Sequence, residues 1–194
     1  MRILVLFSHP VPESYGAALH RAVIDGLEAT GHVVDDCDLY AEGFNPVMDC
    51  QERRGYHACP ENIEPVKGYV DRLLAAEILV IVSPIWNFGW PAILKGYMDR
   101  IFLPDVSFTL REGRVRGALT NIKRVVVITT YGSTRWQAWL LGDPPRKYVL
   151  RVLRSVTDFK APITYLAQYG MNRTTFVSRQ NFLERVRIMI ATLK

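Results

Sequence analysis

A chain of 194 residues has the length of one domain with room for a well-buried core, and residues 1–194 are expected to form one. Its 49% hydrophobic and 22% charged residues are those of a globular protein, and no apolar run approaches the roughly 20 residues of a membrane span. Three cysteines without a C-x-x-C pair exclude a disulfide framework, His57-x-Cys59 has no second ligand pair for a metal, and the net charge of +5 comes with no nucleic-acid motif.

Apolar runs and helical stripes alternate along the chain. The first strand is expected over about 2–7. Its run from Ile3 to Phe7 is shorter than a secretory core, and His9, Pro10 and Pro12 follow in place of a small-residue cleavage site, so a cytoplasmic chain is expected. A helix over about 16–30 carries Ala18, Leu19, Ala22, Val23 and Leu27 on one face and stops at Gly31. Next come a second strand (about 32–39), a long polar stretch with no clear element (about 41–63), a helix (about 64–76) and a third strand (77–83). The helix over about 91–102 presents Ile93, Leu94, Tyr97, Met98, Ile101 and Phe102 as one stripe. Strand four runs from Arg124 to Thr129, followed by a helix (about 145–158), strand five (about 163–168) and a last helix (about 179–193). In the helix after strand four, Arg146, Lys147, Arg151 and Arg154 read as a solvated basic face. The alternation predicts an α/β protein, a doubly wound five-stranded parallel sheet in the order 2-1-3-4-5 with helices on both faces. Ligands of such sheets gather outside the carboxyl ends of strands one, three and four.

The loops at those three ends are the chemically unusual ones. After strand one, Ser8-His9-Pro10-Val11-Pro12-Glu13-Ser14-Tyr15-Gly16-Ala17 runs into a helix whose bare N–H groups and positive dipole end suit a phosphate. It is neither G-x-x-x-x-G-K-[ST] nor G-x-G-x-x-G, so a P-loop or a Rossmann dinucleotide site is not expected. After strand three, Ser83-Pro84-Ile85-Trp86-Asn87-Phe88-Gly89-Trp90-Pro91 offers a restricted backbone and aromatic faces suited to a flat conjugated ring. After strand four, Thr129-Thr130-Tyr131-Gly132-Ser133 can turn several donors toward one point, as the edge of a reduced flavin requires.

With these motifs the chain resembles the flavodoxin-like NAD(P)H:quinone oxidoreductases, which include potassium-efflux ancillary reductases and are related to azoreductases. The likeness rests on S-H-P-x-P-x-S-Y, on P-A-I-L-K-G-Y-M-D-R-I-F from Pro91 to Phe102, and on T-T-Y-G-S, and it spans nearly the whole chain. It implies a homodimer with one flavin per site, in which His9, Ser14, Tyr15, Gly16 and Ala17 form the phosphate loop. Pro84, Ile85, Trp86, Asn87 and Phe88 would lie under the ring system with their amides toward N5 and O4, and Thr129, Thr130, Tyr131 and Gly132 would form the turn at N1 and O2. Three departures stand out: Gly16 where many members carry Asn, Trp86-Asn87-Phe88 in place of Q-W-F or W-W-F, and no histidine across Thr134–Asp143. Without the family's Tyr/His proton-donor pair, Tyr131 or solvent would have to supply the proton. The resemblance implies hydride transfer from NAD(P)H through FAD or FMN to a quinone-like acceptor. The length of the 41–63 segment and the resemblance to full-length quinone reductases lean slightly to FAD, whereas Asn87 leans to FMN.

The alternative is a flavin-binding regulatory or electron-transfer module serving a partner protein, although the small carriers of this fold are usually acidic and this chain is basic. A phospho-receiver domain lacks its acidic residues at Phe7-Ser8-His9 and Val82-Ser83-Pro84. A serine hydrolase lacks G-x-S-x-G, and no cysteine stands at a strand end for a phosphatase.

Overall fold

A computed structural model of the protein describes residues 1–111 and 113–193. Its strands are β1 (Arg2–Phe7), β2 (Val33–Asp38), β3 (Ile78–Ile85), β4 (Phe108–Arg111), β5 (Arg114–Gly117), β6 (Arg124–Tyr131) and β7 (Ile163–Gln168). The α-helices are α1 (Tyr15–Ala29), α2 (Cys50–Arg54), α3 (Lys67–Ala75), α4 (Ala92–Ile101), α5 (Arg135–Leu140), α6 (Pro144–Lys147), α7 (Arg154–Val156) and α8 (Phe176–Ala191). Five strands form one parallel sheet in the order β2-β1-β3-β6-β7, and β4 and β5 form a separate antiparallel hairpin. With the hairpin set aside, this is the expected order.

The continuous apolar runs of β1, β3 and β6 are explained by burial on both faces. Ile3, Val5, Ile78, Val80, Val126 and Ile128 pack with α1 and α8 on one side. Their alternate neighbours Leu4, Leu6, Leu79, Ile81, Val125 and Val127 pack with α3, α4 and the 149–156 region on the other. Period-two alternation sends successive side chains to opposite faces, so a strand covered on both needs apolar residues throughout. Each fully buried Leu or Ile contributes about 2 kcal/mol by removal from water.

Several boundaries differ from the sequence-based expectation. β3 continues through Pro84 to Ile85 and β6 through Thr130 to Tyr131, pairing Ser83 with Thr129, Pro84 with Thr130 and Ile85 with Tyr131. Pro84 is tolerated because its missing donor faces the side of β1, whose ladder with β3 ends at the Phe7–Val82 pair. The polar 41–63 stretch contains α2, opened by an Asp49–Glu52 capping box, and a 3-10 turn begins at Glu61. The expected 145–158 helix is a composite of α6, a π-helical turn over Tyr148–Leu153, and α7. The hairpin and α5 were not anticipated.

Candidate functional site at the strand ends

The β1 loop leaves the sheet through Ser8, whose buried Oγ donates to Ser83 Oγ at 2.7 Å and so ties the ends of β1 and β3 together. His9 Nδ1 accepts the Val11 N–H at 3.1 Å, which makes Nε2 the protonated nitrogen of the neutral ring. Burial holds the His9 pKa below its ordinary 6.5. Ser14 caps α1 by accepting from the Ala17 N–H at 3.0 Å. That leaves the Tyr15 and Gly16 amides at the head of a 15-residue helix without a bond among the described residues. The Tyr15 hydroxyl donates to the Arg179 carbonyl at 2.7 Å, clamping α1 to α8.

After β3 the chain closes a tight turn: Trp86 N–H donates to Gly89 O at 3.0 Å and Gly89 N–H donates back to Trp86 O at 2.9 Å. Asn87 and Phe88 sit in left-handed conformation, with φ of 50° and 56°, as a type I′ turn requires. Asn tolerates that region and Phe does not, so the Phe88 backbone is strained. The Trp86 amide expected to face a ring edge is spent inside the turn, because the reciprocal bond with Gly89 closes it. The Asn87 and Phe88 amides carry no backbone bond among the described residues. The Trp86 indole meets the His9 ring edge-on at 5.8 Å, bringing the first two loops into contact.

At the end of β6, Thr129 is 1% exposed and its Oγ1 has no hydrogen-bond partner. Such an atom costs free energy unless something meets it. The Thr134–Gln137 capping box starts α5 just beyond Gly132 and Ser133. A cavity of about 530 Å³ opens here, with Phe88 on one wall, Gly132, Thr134 and Gln137 on another, and Asn172 and Arg173 closing it. The last two follow β7 and were missed at the sequence level. Gly170 carries them there, with a φ of 68° and an N–H bond to Ser133 O at 2.7 Å. The signal was the Gly170-Met171-Asn172 break after the fifth strand.

Tyr131 lies elsewhere in the site. Its side chain is 1% exposed, and its hydroxyl is bonded to Asp143 Oδ1 at 2.7 Å and to the Tyr165 hydroxyl at 2.5 Å. Burial and these partners push its pKa far above the ordinary phenol value.

The sheet order, with the ligand-facing loops at the carboxyl ends of β1, β3 and β6, defines a flavodoxin-like α/β protein. The family model of the flavodoxin-like fold matches residues 1–160, and the chain belongs to that family. It is 32% identical over 136 residues to a protein of Haemophilus influenzae named as an uncharacterized NAD(P)H oxidoreductase, covering 69% of this chain and 65% of that one. It is 29% identical over 148 residues to NAD(P)H dehydrogenase [quinone] 1 of Rattus norvegicus, covering 68% and 54%. The matches thus span less than two thirds of these relatives' length. The crystal structure of Smu.1420 from Streptococcus mutans superposes over the full length of both chains with a TM-score of 0.87 and 28% identity.

Proposed function

We propose that the protein is a flavin-dependent oxidoreductase that takes hydride from NAD(P)H and delivers it to a quinone or a similarly flat acceptor. The observation that carries this reading is the set of unspent backbone donors at the carboxyl ends of β1 and β3: the Tyr15 and Gly16 amides and the Asn87 and Phe88 amides. A flavin fits that set, since it presents a phosphate and a ring with a polar edge. When bound, a flavin supplies a site that accepts and returns a hydride.

The chain's own residues do the rest. The head of α1 and the Ser14 hydroxyl receive the phosphate, and the neutral His9 ring adds one N–H donor. The Asn87 and Phe88 amides hold the polar edge, where fixed donors stabilise developing negative charge. Trp86 and Phe88 exclude water from the ring face. Tyr131 keeps its proton and supports the turn through Asp143. A homodimer is part of this reading, because Trp136 and Leu140, four residues apart on α5, are 64% and 65% exposed. So is a cytoplasmic location. Among the described residues no helix is long and apolar enough to cross a membrane, and all three cysteines are free.

The test is the visible spectrum of the purified protein before and after anaerobic addition of NADPH or NADH. A flavin spectrum that bleaches and recovers with quinone is the expected result, and chromatography of the released cofactor distinguishes FAD from FMN. A protein that neither carries nor takes up flavin overturns the reading.

A further inference from the structure

A second cavity, of about 310 Å³, lies beside the first, across α5. Thr134 and Gln137 face the larger cavity, whereas Arg135 and Trp139, four residues apart, face this one. The chain then reverses at Gly142 and Asp143, with φ of 81° and 45°, and α6 returns Arg146 and Lys147 to the same opening. Asp143 adopts the left-handed conformation that Asp and Asn tolerate, and so closes the turn.

The pocket is basic and aromatic together. Arg135, Arg146 and Lys147 form no ion pair among the described residues. Asp143, the one acid in the lining, is already engaged: it accepts from the Tyr131 hydroxyl at 2.7 Å and the Tyr169 hydroxyl at 3.4 Å. Three cations against one carboxylate leave the pocket with a net charge of about +2. Arg146 stacks over the Tyr165 ring at 5.8 Å, which limits where its guanidinium can reach. Trp139 is braced against Trp136 with ring centroids 4.8 Å apart and planes 24° from parallel, making it a supported shelf for a flat heterocycle.

A planar shelf, cations in excess and a volume near the lower end of ligand pockets suit one phosphorylated nucleoside and not a whole dinucleotide. We propose that this pocket binds the adenosine end of the reductant through its ribose monophosphate, so that the protein prefers NADPH to NADH. This rests on the reductase reading above. The nicotinamide end then lies toward the larger cavity, which α5 also lines.

The flavin-loaded protein is titrated with 2′,5′-ADP and with 5′-ADP, following tryptophan fluorescence and heat. The 2′-phosphorylated probe is expected to bind at least about tenfold more tightly, the worth of one or two charge-assisted contacts. The R146Q/K147Q double variant is expected to erase that difference and to raise the KM for NADPH relative to NADH by about tenfold. Equal binding of the two probes, or an unchanged KM ratio in the variant, overturns the pocket assignment while flavin bleaching by either nucleotide keeps the reductase reading standing. Failure of both nucleotides to bleach the flavin overturns the reductase reading, and this inference with it.

Discussion

At the scale of single residues the site is defined by groups left unsatisfied in the protein alone. Thr129, buried behind them, is a separate case, because valine has the same shape and keeps the β-branched fit to a strand while deleting the orphaned hydroxyl. Thr129→Val is expected to leave the thermal midpoint of the flavin-free protein unchanged or raised. The same change should leave flavin affinity unchanged, because the hydroxyl is sealed from the cavity. Fluorescence titration of flavin against both proteins measures the second effect. His9 gives a pH signature. Its pKa is lowered in the folded protein, so the unfolded chain binds more protons and stability rises with pH up to the unfolded value of 6.5. Urea midpoints measured from about pH 5 to about pH 8 should climb through the acid half of that range and level off. His9→Asn should flatten part of the climb; an identical slope in the variant removes His9 as its source.

At the scale of elements, the clearest constraint is where the 41–63 segment lies. Arg100 on α4 holds it by bonds to the Glu52 carboxylate and the Asn45 carbonyl. A Cβ on Gly96 would stand 2.3 Å from the Pro46 carbonyl oxygen. Gly96→Ala is therefore expected to lower the unfolding free energy by about 1–3 kcal/mol through overpacking, as read from urea denaturation. This packing also gives the segment a structural role, and its length no longer favours FAD. Core strands were legible because burial on both faces demands an unbroken apolar run. Their ends were not, since Pro84 looks like a terminator and is tolerated only because β1 has already stopped. The hairpin was missed because its strands are only four residues each, and its position depends on Gly117 lying against the Ser155 carbonyl, a contact between distant parts of the chain. The capping boxes at Asp49 and Thr134 were readable signals for the two short helices. Three site loops could be placed from topology alone. The wall made by Asn172 and Arg173 could not, because it depends on how far the chain turns after β7.

For the whole molecule, the exposed α5 face and the strand-end site belong to one region. Trp136→Glu combined with Leu140→Glu is expected to convert a dimer to a monomer in analytical ultracentrifugation, by placing charge where apolar surface is buried between copies. A wild-type protein that sediments as a monomer at micromolar concentration removes the dimer from the proposal. One further consequence follows from α8. Phe182, Val186 and Ile190 cover the same sheet face as α1, and the space beside Gly26 is filled by Ile190, whose Cγ2 lies 2.8 Å from where a Cβ would stand. The Tyr15 hydroxyl, at the end of the loop after β1, is held by the Arg179 carbonyl of that same helix. One helix thus holds both the sheet face and the loop after β1, so detaching α8 releases the two together.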